Sequence, residues 1–250
     1  ESRNISLIGR KEVFMGRAKF GVFGDGKELP QVVMSKFFNN GDFRSGYYRD
    51  QTFMMAIDQL DSNQFFAQLY AHTDINFDPH SGGRQMNCHF GTRMLNDKGD
   101  WRTLTDIKNS ASDISCVSGQ MPRIVGLGYA SKLFRNNKNL TDMHNFSING
   151  NEVIFGTIGD ASTSEGHFWE SINACGVLQV PVVMSIWDDG YGISVPSEYH
   201  TTRNDLSKVL SGFQRSSKKE NGFELFTVKA WDYEGLLNAY SSAVNYARKD

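Results

Sequence analysis

Between Glu152 and Trp187 the sequence passes from an apolar stretch, Glu152–Ile158, through a helical one, Glu165–Leu178, into a second apolar stretch, Val180–Trp187. Strand, helix, strand at this spacing predicts a βαβ unit with parallel strands and a right-handed crossover. Nothing else in the chain constrains its architecture so strongly. A parallel pair needs helices over it, and in such sheets ligands sit outside the carboxyl ends of the strands.

The surrounding text extends the pattern. Pro30 opens a predicted helix through Phe38, and a second runs from Gln51 to Leu60. Residues 120–134 space Met121, Ile124, Val125, Leu127, Gly128 and Leu133 as a packed helix. Phe223–Ala230 reads as a further strand and Tyr233–Arg248 as the helix after it. The expectation is an α/β fold, a parallel sheet with helices on both faces, over residues 31–250. Glycines at positions 9, 16, 21, 24 and 26 make residues 1–30 read as an irregular segment. From Asp74 to Gly99 the chain is polar and glycine-rich around Ser81-Gly82-Gly83-Arg84, a long loop of the kind that usually serves function.

Composition narrows the partners. With 39% hydrophobic and 22% charged residues the chain reads as an ordinary globular one. A formal charge of −2 lacks the basic excess of a general nucleic-acid binder, and Lys218-Lys219 beside Glu220 reads as a solvated loop. No apolar run reaches the length of a membrane span. Cys88, Cys116 and Cys175 are too few and too scattered for a disulfide framework or a zinc site.

The chemistry concentrates at the two strand ends. The first apolar run ends in Gly159-Asp160-Ala161-Ser162 and the second in Trp187-Asp188-Asp189-Gly190-Tyr191-Gly192. Parallel neighbours end at one edge, so Asp160 and Asp189 are expected to converge. Two carboxylates and a backbone carbonyl suit a hard cation completed by phosphate, and backbone N–H groups at the helix start suit the phosphate itself. Taken singly, Gly-Asp is also an ordinary helix cap and Asp-Asp-Gly an ordinary turn.

These motifs resemble the thiamine diphosphate enzymes, whose Gly-Asp-Gly is followed by about thirty residues ending in Asn-Asn. The chain is most similar to the α subunits of the 2-oxo acid dehydrogenases. Gly159-Asp160 matches the start of the motif and Gly190-Tyr191-Gly192-Ile193-Ser194 the residues after Asn-Asn, while Ser164-Glu165-Gly166 looks like the branched-chain, 2-oxoisovalerate members. Tyr48-Arg49 resembles a pair that contacts the cofactor diphosphate, a role the guanidinium fork fits. Gly83-Arg84-Gln85-Met86 and His89-Phe90-Gly91 resemble the loop beside the active-site channel. Ser115-Cys116-Val117-Ser118-Gly119-Gln120-Met121-Pro122 resembles the turn beneath the thiamine ring. The resemblance covers the chain from about Phe37 onward.

It implies a diphosphate-binding domain holding thiamine diphosphate and magnesium. Asp160, Asp189 and the Tyr191 carbonyl would hold the metal. Tyr48, Arg49, Gly159, Ala161, Ser162 and Gly192 would line the diphosphate, with the Ser115 carbonyl and Val117 at the thiamine. His89 becomes the candidate catalytic residue. The implied reaction is oxidative decarboxylation of a branched-chain 2-oxo acid, the acyl group passing to a lipoyl-bearing acyltransferase, with pyruvate as the alternative substrate. The glutamate that activates the cofactor would come from a β subunit or a fused C-terminal half, making a hetero-oligomer or a homodimer of fused chains. This chain alone is therefore expected to be inactive. Its implied location is the bacterial cytoplasm, or the mitochondrial matrix in a eukaryote.

Three departures bear on this. Ala161 replaces the second motif glycine, Asp188-Asp189 replaces Asn-Asn, and the family's next strand with its His-containing loop is missing, so the domain reads as truncated at its C-terminus. Gly119 also stands where the branched-chain members use a Thr to bind potassium. The first two departures leave room for a non-catalytic relative with a spoiled site. An unrelated Rossmann-like nucleotide binder would need a Gly-x-Gly-x-x-Gly or Walker-type loop after a strand, and none is present.

Overall fold

The computed structural model describes residues 1–203, 205–217 and 220–249, so Lys218 and Lys219 lie outside the described residues. The sheet consists of β1 (Phe43–Ser45), β2 (Asn109–Ser110), β3 (Ile154–Gly159) and β4 (Val182–Trp187). Their order is β2–β1–β3–β4 and every pairing is parallel.

Alternate residues of β3 and β4 feed two cores, as the period of two requires. Phe155, Val183 and Trp187 face one cluster, and Ile154, Ile158, Val182, Met184 and Ile186 face the other. The first face is covered by α1 (Ser2–Phe14), α2 (Glu28–Ser35), α3 (Gln51–Ala56), α4 (Ser62–Leu69) and α8 (Tyr233–Lys249). The second face is covered by α5 (Gln120–Asn136), α6 (Gly166–Leu178) and α7 (Leu206–Leu210). Phe38 meets Phe53 and Phe155 edge to face at 5.2 and 5.0 Å, which locks α3 onto β3. The expected parallel α/β sheet with helices on both faces is the fold observed.

Several local expectations need correction. Residues 1–30 are not irregular throughout, because Ser2–Phe14 forms α1, and Ile5, Ala18 and Phe23 join the main core. α3 stops at Ala56 instead of Leu60, where Asp58 takes a left-handed conformation (φ 61°). α4 was not foreseen, although Asp61 and Gln64 cap it reciprocally: the Gln64 N–H donates to Asp61 Oδ1 at 2.8 Å and the Asp61 N–H to Gln64 Oε1 at 3.1 Å. Phe223–Ala230 is not a strand. Apart from one bridge, Gln214 to Phe223, it lacks a ladder partner among the described residues, and its apolar side chains split between the cores, Phe223 and Leu225 to one and Val228 to the other.

Candidate functional site

β3 and β4 stay in register from Ile154–Val182 to Gly159–Trp187, and the Asp160 N–H donates to the Trp187 carbonyl at 3.2 Å. Asp160 therefore leaves β3 beside the point where Asp188 and Asp189 leave β4. Asp160 is only 4% exposed, yet its Oδ2 has no hydrogen-bond partner among the described residues. Burial raises its pKa above the ordinary carboxylate value, and the Asp189 and Asp188 charges push the same way against the Ala161 N–H. An unpaired, shielded acceptor with like charges nearby is costly, and a cation would relieve both problems.

Asp160 and Asp188 line a cavity of about 20 Å³ with Ser197, Thr201, Asp205 and Leu206. That volume suits an ion or one water-sized group, so phosphates would have to lie outside it. Among the described residues no group of three or more His, Cys, Asp or Glu side chains is placed to hold a metal. A metal here would need backbone and ligand oxygens besides the carboxylates, which magnesium accepts. The chemistry of the donors fits magnesium on a phosphate ligand.

Asp189 is differently engaged. Its Oδ2 meets Lys27 Nζ at 2.5 Å, and its Oδ1 accepts the Tyr191 N–H at 3.2 Å. Asp188 Oδ1 accepts the Gly190 N–H at 3.2 Å, so Asp-Asp-Gly also makes the tight turn its composition allows. Beyond it β5 (Tyr191–Gly192) turns back against β6 (Val195–Pro196). The Ala161 methyl faces this turn: a Cβ at Gly192 would stand 2.7 Å from it, so the close approach requires glycine there.

The other expected segments flank these strand ends. Arg49 stacks its guanidinium over Tyr48 at 5.5 Å and donates from Nη1 to the Phe23 carbonyl at 2.6 Å. His89 Nε2 lies 3.0 Å from Ser115 Oγ and Nδ1 lies 3.2 Å from the Asn87 carbonyl. That carbonyl assigns the proton to Nδ1, so Nε2 accepts from Ser115. His89 is buried and both nitrogens are occupied, an arrangement suited to holding Ser115 in place. Val117 stands 45% exposed on the same turn. Ser118, at φ 59°, donates from Oγ to the Ser162 carbonyl at 2.6 Å, joining that turn to the β3 end.

Beneath all three segments lies Arg44, fully buried on β1. Its guanidinium donates to Asp50 (2.7 Å), Asp113 (2.9 Å), Ser110 Oγ (2.8 Å) and the Tyr47 carbonyl (3.1 Å). Asp50 also accepts from Thr157 Oγ1 of β3 at 2.5 Å, and Asp113 from the Phe90 N–H at 3.0 Å. Burial disfavours the charged guanidinium, but the two carboxylates outweigh it and lift the Arg44 pKa above its ordinary value.

The family model described as dehydrogenase E1 component matches residues 3–250. The chain belongs to that family. Its E1 relatives include the human mitochondrial 2-oxoisovalerate dehydrogenase subunit alpha, 24% identical over 213 residues, 85% of this chain and 41% of that one. The Bacillus subtilis (strain 168) 2-oxoisovalerate dehydrogenase subunit alpha is 25% identical over 208 residues, 83% of this chain and 54% of its own length. The mitochondrial subunit alpha of Caenorhabditis elegans is 26% identical over 182 residues, 73% and 35% of the two chains. The chain spans about half or less of the length of these relatives. Dehydrogenase E1 components generally use thiamine diphosphate, and their α subunits generally pair with β subunits. No helix among the described residues is long and apolar enough to cross a membrane.

Two side chains of this E1 chain escaped the sequence reading. Tyr47 is buried with its hydroxyl unpartnered among the described residues, 3.6 Å from where a Gly159 Cβ would stand, and burial raises its pKa well above the ordinary tyrosine value. Asp113 is the other, and only its partner Arg44, 69 residues away, gives it meaning.

The loop expected over Asp74–Gly99 is a loop, pinned by buried Asp78, which accepts from the N–H groups of His80, Ser81 and Gly83 and from Ser81 Oγ. Burial lowers the His80 pKa from its ordinary 6.5. A base depressed in the folded state keeps its full contribution above the unfolded pKa and loses it as pH falls below that value. Amides of residues 78–91 should therefore exchange faster at pH 5.5 than at pH 7.5, after correction for intrinsic rates, and His80→Gln should remove the difference. Equal protection at both pH values would show that His80 does not hold the loop.

Proposed function

We propose that this chain is the diphosphate- and magnesium-holding half of a 2-oxo acid dehydrogenase acting on a branched-chain 2-oxo acid. The buried, unpaired Asp160 Oδ2 at a parallel strand end, with two more carboxylates at the neighbouring end, carries this proposal. Asp160, Asp189 and the Tyr191 carbonyl would hold magnesium. Tyr48, Arg49 and the Tyr47 hydroxyl would meet the diphosphate, together with the backbone at Gly159, Ala161, Ser162 and Gly192. Val117 offers an exposed apolar surface to the thiamine, and the Ser115 carbonyl an acceptor to its amine, while His89 holds Ser115 by its hydroxyl. Thiamine diphosphate, when bound, supplies the electron sink that 2-oxo acid decarboxylation needs. The activating glutamate would come from a β subunit or fused half, and the acyl group would leave on a lipoyl-bearing acyltransferase.

The test is titration of thiamine diphosphate into the full-length protein with its partner half, with and without magnesium. Binding that vanishes with chelator, followed by turnover of branched 2-oxo acids in preference to pyruvate, is expected. Preference for pyruvate would correct the substrate alone. Absence of binding in a folded assembly would overturn the proposal in favour of a non-catalytic relative.

A further inference from the structure

Lys27 forms an ion pair at the strand ends. It immediately precedes α2, far from β4 in sequence, yet its side chain is only 13% exposed while Asp189 is 53% exposed. A lysine this well covered, with Nζ 2.5 Å from Asp189 Oδ2, is held in place and not merely swept past in solution. The holding groups are identifiable. Gln31 on α2 is fully buried and donates from Nε2 to the Arg49 carbonyl at 2.8 Å, while its Oε1 accepts the Phe53 N–H at 2.8 Å. Arg49 in turn donates to the Phe23 carbonyl at 2.6 Å. Residues 23–31 are thus clamped on both sides of Lys27 to the Tyr48-Arg49 segment.

Charge decides what this clamp is for. Asp160, Asp188 and Asp189 place three carboxylates at two adjoining strand ends, where a diphosphate would add further negative charge and magnesium only two positive ones. Paired through Oδ2 with Lys27 and through Oδ1 with the Tyr191 N–H, Asp189 can offer a cation only its remaining lone pairs, and the ion pair carries no net charge. We infer that Lys27 belongs to the cofactor site, its ammonium neutralising Asp189 so that a carboxylate can stand beside a diphosphate. This rests on the proposed function above. With Asp189 half exposed to water, the pair contributes little to folding, so its effect should show in anion binding, where a nearby diphosphate amplifies it.

The experiment is calorimetric titration of thiamine diphosphate, at saturating magnesium, into the full-length protein with its partner half. Lys27→Met should weaken binding tenfold or more, with the melting temperature of the ligand-free protein unchanged. Lys27→Arg should stay within about threefold of wild type. In an Asp189→Asn background, where the carboxylate is gone, Lys27→Met should cost less than threefold. Wild-type affinity in Lys27→Met, or equal loss in both backgrounds, would overturn the inference while leaving the cofactor assignment standing. Failure of the wild-type protein to bind would overturn both.

Discussion

Arg44→Met should lower the stability of the chain by on the order of 3–5 kcal/mol, the usual cost of removing one partner of a buried ion pair. Methionine nearly preserves length, so little of the loss would come from an emptied space. The damage would be electrostatic. Asp50 and Asp113 are both shielded from water, and each has a second oxygen already lacking a partner among the described residues. Taking the guanidinium away strands both carboxylates. Against a total stability of about 5–15 kcal/mol, that is enough to leave the chain partly unfolded near physiological temperature. Denaturant unfolding of the full-length protein measures it directly. Adding Asp50→Asn should recover part of the loss, because one buried charge is then removed. An unfolding free energy within about 1 kcal/mol of wild type would show that the network is looser than its distances imply.

Asp160→Asn should do the opposite: destroy binding and leave stability intact or improved. The substitution removes a shielded negative charge that Asp188 and Asp189 already disfavour, so the ligand-free protein should melt at the same temperature or higher. Magnesium-dependent affinity for thiamine diphosphate should fall by at least ~100-fold, since even supporting residues around a metal are typically worth ten- to a hundredfold. Opposed effects on melting and binding are the signature sought. If Asp160→Asn kept its metal-dependent affinity, the metal would lie elsewhere. If it melted markedly lower, Asp160 would have a structural partner that the geometry lacks.

The strand ends were legible because their logic is local and repeated. Apolar runs of strand length ended in Asp160 and in Asp188-Asp189 with a helix between, and parallel pairing brought the two ends together. α1 was not legible because a glycine such as Gly9 reads as punctuation. It sits inside the helix, where a Cβ would stand 2.5 Å from the Phe23 ring, so the glycine marks close packing rather than a break. Phe223–Ala230 had a strand's composition, but composition cannot reveal whether a neighbour offers a ladder. Lys27 and Arg44 were invisible for a related reason. Lys27 meets Asp189 and Arg44 meets Asp113 across long stretches of sequence, and an isolated Lys or Arg reads as solvated surface.

The hydrogen bond from Ser118 Oγ to the Ser162 carbonyl has a consequence for ligand choice. It ties the turn carrying Val117 to the backbone following Asp160 by a short contact that needs no ligand to form. The site then works as a caliper. Under the proposed assignment, a molecule long enough to rest on Val117 and still reach the carboxylates at the strand ends would engage both jaws. Thiamine monophosphate, one phosphate shorter, would satisfy only one of them.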